Sequence, residues 1–162
     1  MDGTTTLKTQ YVCGFMFDQD AKHVALIRKE RPAWQRGKLN GIGGKVEPNE
    51  GIVTAMAREF MEETGQLTRN GNWSYFCLLE GDNFLVYFFA VKTLDSLADL
   101  KSTTDEEVKI LHVDDHCIVH SSTALPNLKW LVPMALQSFE VPFFAHVVEG
   151  RNDGLDENGY DK

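Results

Sequence analysis

The sequence predicts an α/β fold, and three observations carry that prediction. Alternating runs rich in Val, Ile, Phe and Tyr occupy both halves of the chain, a capped amphipathic helix lies between them, and a second apolar helical stripe follows near the C-terminus. Helices interleaved with strands are compatible with a layered α/β architecture.

Residues 8–17 and 22–28 alternate and are rich in β-formers, so they read as strands of a hairpin turned at Asp18-Gln19-Asp20. Residues 29–38 follow as a loop, because Pro32 and Gly37 break regular structure. Basic side chains collect there around Trp34, a composition able to stack a base and attract phosphates, and equally that of a solvent loop with one partly packed tryptophan. A helix is predicted over residues 50–64, with Asn49 as N-cap, Glu50 in the first turn and Gly65 as C-cap. Val53, Met56, Ala57 and Phe60 form its core stripe. Glu59, Glu62 and Glu63, three and four apart, share another face, and Arg58 is placed to pair with Glu62 or Glu50. Crowded carboxylates are hard oxygen ligands suited to Mg²⁺ or Mn²⁺; the plainer alternative is a solvated acidic face with ion pairs.

Beyond the helix, residues 73–79 and 84–92 form a second hairpin pattern around Glu80-Gly81-Asp82-Asn83. Phe84, Val86, Phe88 and Ala90 face one way and Leu85, Tyr87, Phe89 and Val91 the other, so this strand is predicted to be central and covered on both sides. A polar connection over 93–104 leads to Asp105-Glu106-Glu107 and a strand over 108–113. His112, His116 and His120 would align for zinc only on a continuous helix, whereas Leu111-His112-Val113 reads as a strand end. Residues 127–139 read as a helix with Leu128, Leu131, Val132 and Leu136 on one side and Pro133 inside it.

At 162 residues and 43% hydrophobic content, the chain suits one domain over residues 1–148, with a polar tail over 149–162. A net charge of −8 and a pI of about 5.0 argue against broad nucleic-acid binding. Cys13, Cys77 and Cys117 are odd in number and too few for a disulfide framework. With no basic start before an apolar run and no apolar segment of membrane-spanning length, a cytoplasmic protein without a membrane partner is expected.

Gly44, five residues, Glu50, seven residues, Arg58-Glu59-Phe60, one residue, Glu62-Glu63, one residue and Gly65 together resemble the Nudix box. Every charged and glycine position matches; Phe60 stands where the pattern has an aliphatic residue and Gln66 where it has an apolar one. The resemblance implies the Nudix α/β/α sandwich, a mixed β-sheet between the box helix and a C-terminal helix. It implies an enzyme that cleaves a diphosphate linkage in a nucleoside diphosphate joined to another group, using Mg²⁺ or Mn²⁺. Carried over position by position, Glu59, Glu62 and Glu63 are the metal-binding acids, the Gly43 carbonyl is a main-chain ligand, and Glu59 or Glu63 orients or deprotonates the attacking water. Arg58, grouped with the catalytic acids, and Glu50 hold loop and helix together. Glu106 or Glu107 stands where many members place a further acid.

Leu39-Asn40-Gly41-Ile42-Gly43-Gly44-Lys45-Val46 resembles the entry to the box in purine nucleoside triphosphatases of the MutT type, especially those acting on oxidised purines. That resemblance implies that Asn40 reads the purine edge, where the plainer alternative is a turn residue, and that Trp34 stacks on the base; Lys45, just inside the box, has the charge to meet a phosphate, and a surface lysine looks the same in sequence. Residues 127–133 loosely resemble a second base-recognition segment, with Asn127 where an acid is expected and a Trp130-to-Pro133 spacing that differs by one. Both departures weaken an 8-oxopurine assignment. The expected substrate is a purine nucleoside triphosphate, ordinary or oxidised, cleaved to a monophosphate and pyrophosphate. ADP-ribose and other nucleoside diphosphate sugars are the runner-up, although those enzymes carry a proline soon after the box and none lies here between Pro48 and Pro126. A non-catalytic nucleotide sensor is the third reading, and it fits poorly with a full set of box acids. RNA 5′-end processing would want an extended basic path. Family members often pair, so a homodimer is an open expectation.

Overall fold

The computed structural model describes residues 6–120 and 122–150. Its strands are β1 (Thr9–Asp18), β2 (His23–Arg28), β3 (Leu39–Asn40), β4 (Ile42–Lys45), β5 (Ser74–Glu80), β6 (Phe84–Thr93), β7 (Glu107–His112) and β8 (Ala145–Val148); its helices are α1 (Ile52–Thr64), α2 (His116–Val119) and α3 (Leu128–Ser138). All belong to one mixed sheet and its two faces.

β1 is the centre of that sheet. Along its whole length it runs parallel to β6, from Thr9 opposite Phe84 to Asp18 opposite Thr93. Its other edge is shared. Met16 and Phe17 pair with Ala25 and Val24 of β2, while Tyr11 through Gly14 pair with β4. β3 and β4 are halves of one extended segment interrupted at Gly41, the first half bonded to β2 and the second to β1. The segment therefore wedges β1 and β2 apart and forks the sheet. β7 covers the outer edge of β2, and β5 and β8 extend the far side of β6, with β8 parallel to β5 at the edge.

Strand alternation sorts the side chains into two cores. Val12, Met16, Ala25, Ile27, Phe89 and Val91 pack beneath Ala55, Met56 and Phe60 of α1. Phe15, Phe17, Val24, Leu26, Phe88 and Ala90 pack beneath Leu128, Leu131, Val132 and Ala135 of α3. The result is an α/β/α sandwich, and β6 is central and covered on both faces because both of its faces are apolar.

Element boundaries differ from expectation where tertiary contacts decide them. α1 begins at Ile52 with Gly51 as its extended N-cap, and Asn49 is a left-handed turn residue at φ 63°. The reason is Glu50. Its carboxylate accepts a hydrogen bond from the Glu47 N–H and grips Arg58, which makes residues 47–51 a turn folded back on the helix rather than its first turn. Gly65 is the C-cap, at φ 72° with its N–H on the Met61 carbonyl at 2.9 Å, a conformation that favours glycine. α3 runs through Pro133 without a break. β8 has no counterpart among the predicted strands. The predicted tail begins inside described structure, for the Glu149 N–H donates to the Glu80 carbonyl at 2.7 Å; residues 151–162 lie outside the described residues.

Phe60 is fully buried and meets Trp73 edge-on at 5.2 Å, filling the space the aliphatic residue of the box pattern would occupy. Phe60→Ala should destabilise the protein by about 3–5 kcal/mol through lost burial and an unfilled cavity. Urea unfolding measures this, and a loss below about 1 kcal/mol would mean that α1 is not held by this face.

Candidate active site

The acidic half of the site is organised by Arg58. Its Nε and Nη2 donate to the two oxygens of Glu50 at 2.7 and 2.9 Å, Nη2 also reaches the Lys45 carbonyl at 3.0 Å, and Nη1 donates to Glu59 at 2.9 Å and Glu62 at 3.3 Å. This paired arrangement holds the Glu50 carboxyl below its usual range and raises the Arg58 guanidinium above its own. One side chain thus ties β4, the turn after it and α1 together.

Glu59 rests against β4. A Cβ on Gly44 would lie 2.5 Å from the Glu59 carboxyl, so glycine is what permits the approach. Burial pushes the Glu59 carboxyl up, against the opposing effect of Arg58. Burial also raises Glu63, with nearby Glu106 adding to the effect and the Thr104 hydroxyl, which donates to it at 2.9 Å, opposing. Glu62 is the exposed member. The loop at 101–104 laces the end of α1: the Lys101 and Thr103 N–H groups donate to the Thr64 and Glu63 carbonyls, and the Thr103 hydroxyl donates to the Glu62 carbonyl.

Among the described residues no three His, Cys, Asp or Glu side chains converge closely enough to hold a metal as they stand. The donor set nevertheless fits a hard divalent cation. Arg58 and Thr104 engage one oxygen each of Glu59, Glu62 and Glu63, leaving the second oxygen of each acid without a hydrogen bond among the described residues.

Of the two further acids weighed from sequence, Glu106 is the one turned inward. It is 3% exposed, takes Lys29 Nζ at 2.7 Å and accepts from the N–H groups of Glu30 and Arg31. Glu107 starts β7 and pairs with Lys109 on the exposed side. Arg31 and Asp105 form a bidentate pair at 2.8 and 2.7 Å, which fastens the 29–38 loop to the same turn.

A cleft of about 560 Å³ opens on the α3 face of the sheet and reaches the fork at Gly43 and Gly44. It brings together Trp34, Asn40 and Asn127. Their convergence has a backbone cause: Leu39 donates to the Thr123 carbonyl at 2.7 Å, Leu125 donates to the Leu39 carbonyl at 3.0 Å, and Leu39 bridges Ala124 in parallel, which sets the start of α3 beside β3. Trp34 is 66% exposed, on a three-residue helical turn at the cleft mouth. Asn40 Oδ1 accepts from the Gly41 N–H at 2.8 Å. Asn127 Oδ1 is buried and has no hydrogen-bond partner among the described residues. An orphaned buried acceptor is costly, and a donor from a ligand or an ordered water would satisfy it.

Lys45 does not line the cleft; its side chain is exposed and its carbonyl serves Arg58. Lys29 lines the cleft while touching Glu106 on the acidic side. Its place at the start of the basic loop was visible in sequence, but nothing there distinguishes it from its basic neighbours. Cys13 also lines the cleft, and burial pushes its thiol up to about 12, so it is not a nucleophile. His112 ends β7 and packs edge-on against His23. No helix among the described residues is long and apolar enough to cross a membrane.

In fold the chain is similar to the mutator MutT protein of Bacillus halodurans, with a TM-score of 0.61 and 20% identity over 80% of this chain and 83% of that one. It is similar to the MutT protein of Methanosarcina mazei Go1, at 0.62 and 21% over 83% and 97%. A Nudix hydrolase of Nitrosomonas europaea gives 0.65 and 16% over 88% and 80%. No curated protein matches the sequence. The Nudix domain family matches residues 7–131, a span that holds α1, its acids and nearly all of the cleft. The chain accordingly belongs to the Nudix family of pyrophosphohydrolases.

Proposed function

We propose that the protein hydrolyses a purine nucleoside triphosphate, ordinary or oxidised, to a monophosphate and pyrophosphate, with Mg²⁺ or Mn²⁺ held by Glu59, Glu62, Glu63 and the Gly43 carbonyl. The observation that carries this reading is the junction at Gly43 and Gly44, where a cleft lined by an aromatic ring and two amides meets a helix face bearing three acids.

Trp34 offers a face for stacking and its exposure leaves that face open. Asn40 and Asn127 supply amides that donate and accept toward a base edge. A ligand with its base there extends its phosphates past Gly43 and Gly44 toward α1, beside Lys29, whose ammonium offsets their charge. The bound metal would neutralise phosphate oxygens and lower the pKa of a coordinated water. Glu59 and Glu63, whose burial raises their proton affinity, are suited to accept a proton from the attacking water. Arg58 acts through the acids, fixing Glu59 and Glu62 in place. Three free thiols, two of them buried, accord with a reducing cytoplasm.

Glu62→Gln should lower kcat by about 100-fold or more in Mg²⁺ with little change in melting temperature, since Glu62 is exposed and its 3.3 Å pair with Arg58 is a surface pair of small net worth. A release assay across ordinary and oxidised nucleoside triphosphates, ADP-ribose and capped RNA reads this out. Undiminished turnover in the variant removes Glu62 from the metal site; nucleotide binding without turnover in the wild type makes the chain a sensor.

Saturating Mg²⁺ or Mn²⁺ at about 100 times its dissociation constant should stabilise the wild-type fold by about 2.7 kcal/mol. The thermal shift should shrink in Glu62→Gln. Equal shifts in both proteins place the metal elsewhere.

Asn40→Ala should change the ranking of bases while leaving rates on the best triphosphate within about tenfold, because a single amide contact is worth about 1–2 kcal/mol. A uniform loss across all nucleotides would show that Asn40 supports the cleft instead of reading the base.

A further inference from the structure

Of the described residues lining the cleft, two carry charge: Lys29 and Glu149. They stand at opposite ends. Lys29 follows β2 and Glu149 follows β8, with β1, β6 and β5 between those strands in the sheet order. The cation lies beside the acids of α1, bonded to Glu106, and the anion lies at the end remote from them.

Glu149 is aimed and held. Ala145 and Val147 pack toward the α3-side core, so period-two alternation puts Glu149 on that same face, toward the cleft. Its N–H bonds the Glu80 carbonyl at 2.7 Å, extending the β5–β8 ladder by one residue. On the opposite face Glu80 clips the edge strand in place, with one oxygen on Lys8 Nζ at 2.6 Å and the other on His146 Nε2 at 2.8 Å. β8 and Glu149 lie outside the span 7–131 matched to the Nudix family.

A carboxylate at the remote end repels phosphate and accepts hydrogen bonds. Asn127 Oδ1, without a hydrogen-bond partner among the described residues, is another acceptor in the same cleft. The ligand end that fits is therefore rich in donors. Among purines, guanine presents N1–H and the 2-amino group side by side, which match the two oxygens of one carboxylate; hypoxanthine offers N1–H alone, and adenine turns an acceptor toward the same place.

We propose that Glu149 is a specificity residue that orients the nucleotide and selects guanine, its carboxylate accepting from N1–H and the 2-amino group. The proposal rests on the cleft being the base site and is independent of the hydrolytic step.

Equilibrium binding of guanosine, inosine and adenosine monophosphates to the full chain, followed by calorimetry, tests it without turnover. The wild type should bind guanosine monophosphate about tenfold more tightly than inosine monophosphate, and adenosine monophosphate most weakly. Glu149→Ala should bring the three to within about twofold, and Glu149→Gln, which keeps one acceptor oxygen, should fall between. Both variants should melt as the wild type does, because Glu149 is exposed. No preference for guanosine in the wild type, or a preference that survives Glu149→Ala, overturns the proposal. Triphosphate release in Mg²⁺ is measured alongside: guanosine preference without turnover supports Glu149 and refutes the hydrolase reading, whereas turnover without guanosine preference refutes Glu149 alone.

Discussion

Three carboxylates crowded onto one side of a helix repel one another, and the way Arg58 holds them sets the terms for the rest of the site. The guanidinium engages Glu50, Glu59, Glu62 and the Lys45 carbonyl at once. Both Arg58 and Glu50 are largely withdrawn from solvent, with side chains 24% and 12% exposed. Pairs of this kind contribute little as a net gain over apolar packing, but losing one partner strands the other charge, at a cost of about 3–5 kcal/mol when fully buried. The irregular backbone before α1 follows from this. Glu50 can face Arg58 only if the chain turns at Asn49 and enters the helix at Gly51, so electrostatics overrides a sequence that would also support an earlier start.

The fork in the sheet is what joins the acids of α1 on one face to the cleft on the other. The backbones of β3 and β4 bond to two different strands, and the segment carries Asn40 on one side of Gly41 and the Gly43-Gly44 pair on the other. Acids of α1 approach from one face, against Gly44, while the cleft opens on the opposite face. Both walls of the cleft are referenced to β3. The 29–38 loop closes at its base through the Lys29 N–H on the Lys38 carbonyl, and residues 123–125 bond to Leu39 directly. A shift of β3 would move Trp34 and Asn127 together, which preserves the spacing between a stacking face and an amide.

The acidic half was legible in sequence because its spacing is local: helical periodicity alone puts Glu59, Glu62 and Glu63 on one face, and Gly65 ends the helix for reasons of its own backbone. The two cores were legible for the same reason, since alternation in β6 names both faces. What depends on long-range pairing was not. Asn127 sits beside Asn40 through bonds between Leu39 and residues 123–125, separated by more than eighty positions in sequence. Lys29 and Lys45 look alike until Glu106 draws one of them inward. The choice between Glu106 and Glu107 is one of strand parity, which sequence cannot fix until the first paired residue of β7 is known. β8 is four residues of ordinary composition and gains its meaning only from lying along β5.

Glu106 shows how the two halves of the site are coupled. A carboxylate 3% exposed needs compensation for lost hydration, and it finds it in the Lys29 ammonium and two backbone N–H groups of the loop that carries Trp34. The same Glu106 raises the proton affinity of Glu63, while Lys29 lowers it. Charge at the acids and position of the aromatic loop therefore share one ion pair. Any ligand that draws the Lys29 ammonium toward a phosphate weakens the compensation of Glu106 and changes the field at Glu63, and any cation taken up at the acids does the reverse. The cleft and the charge at the helix are thus linked by direct contact through a pair only 2.7 Å long.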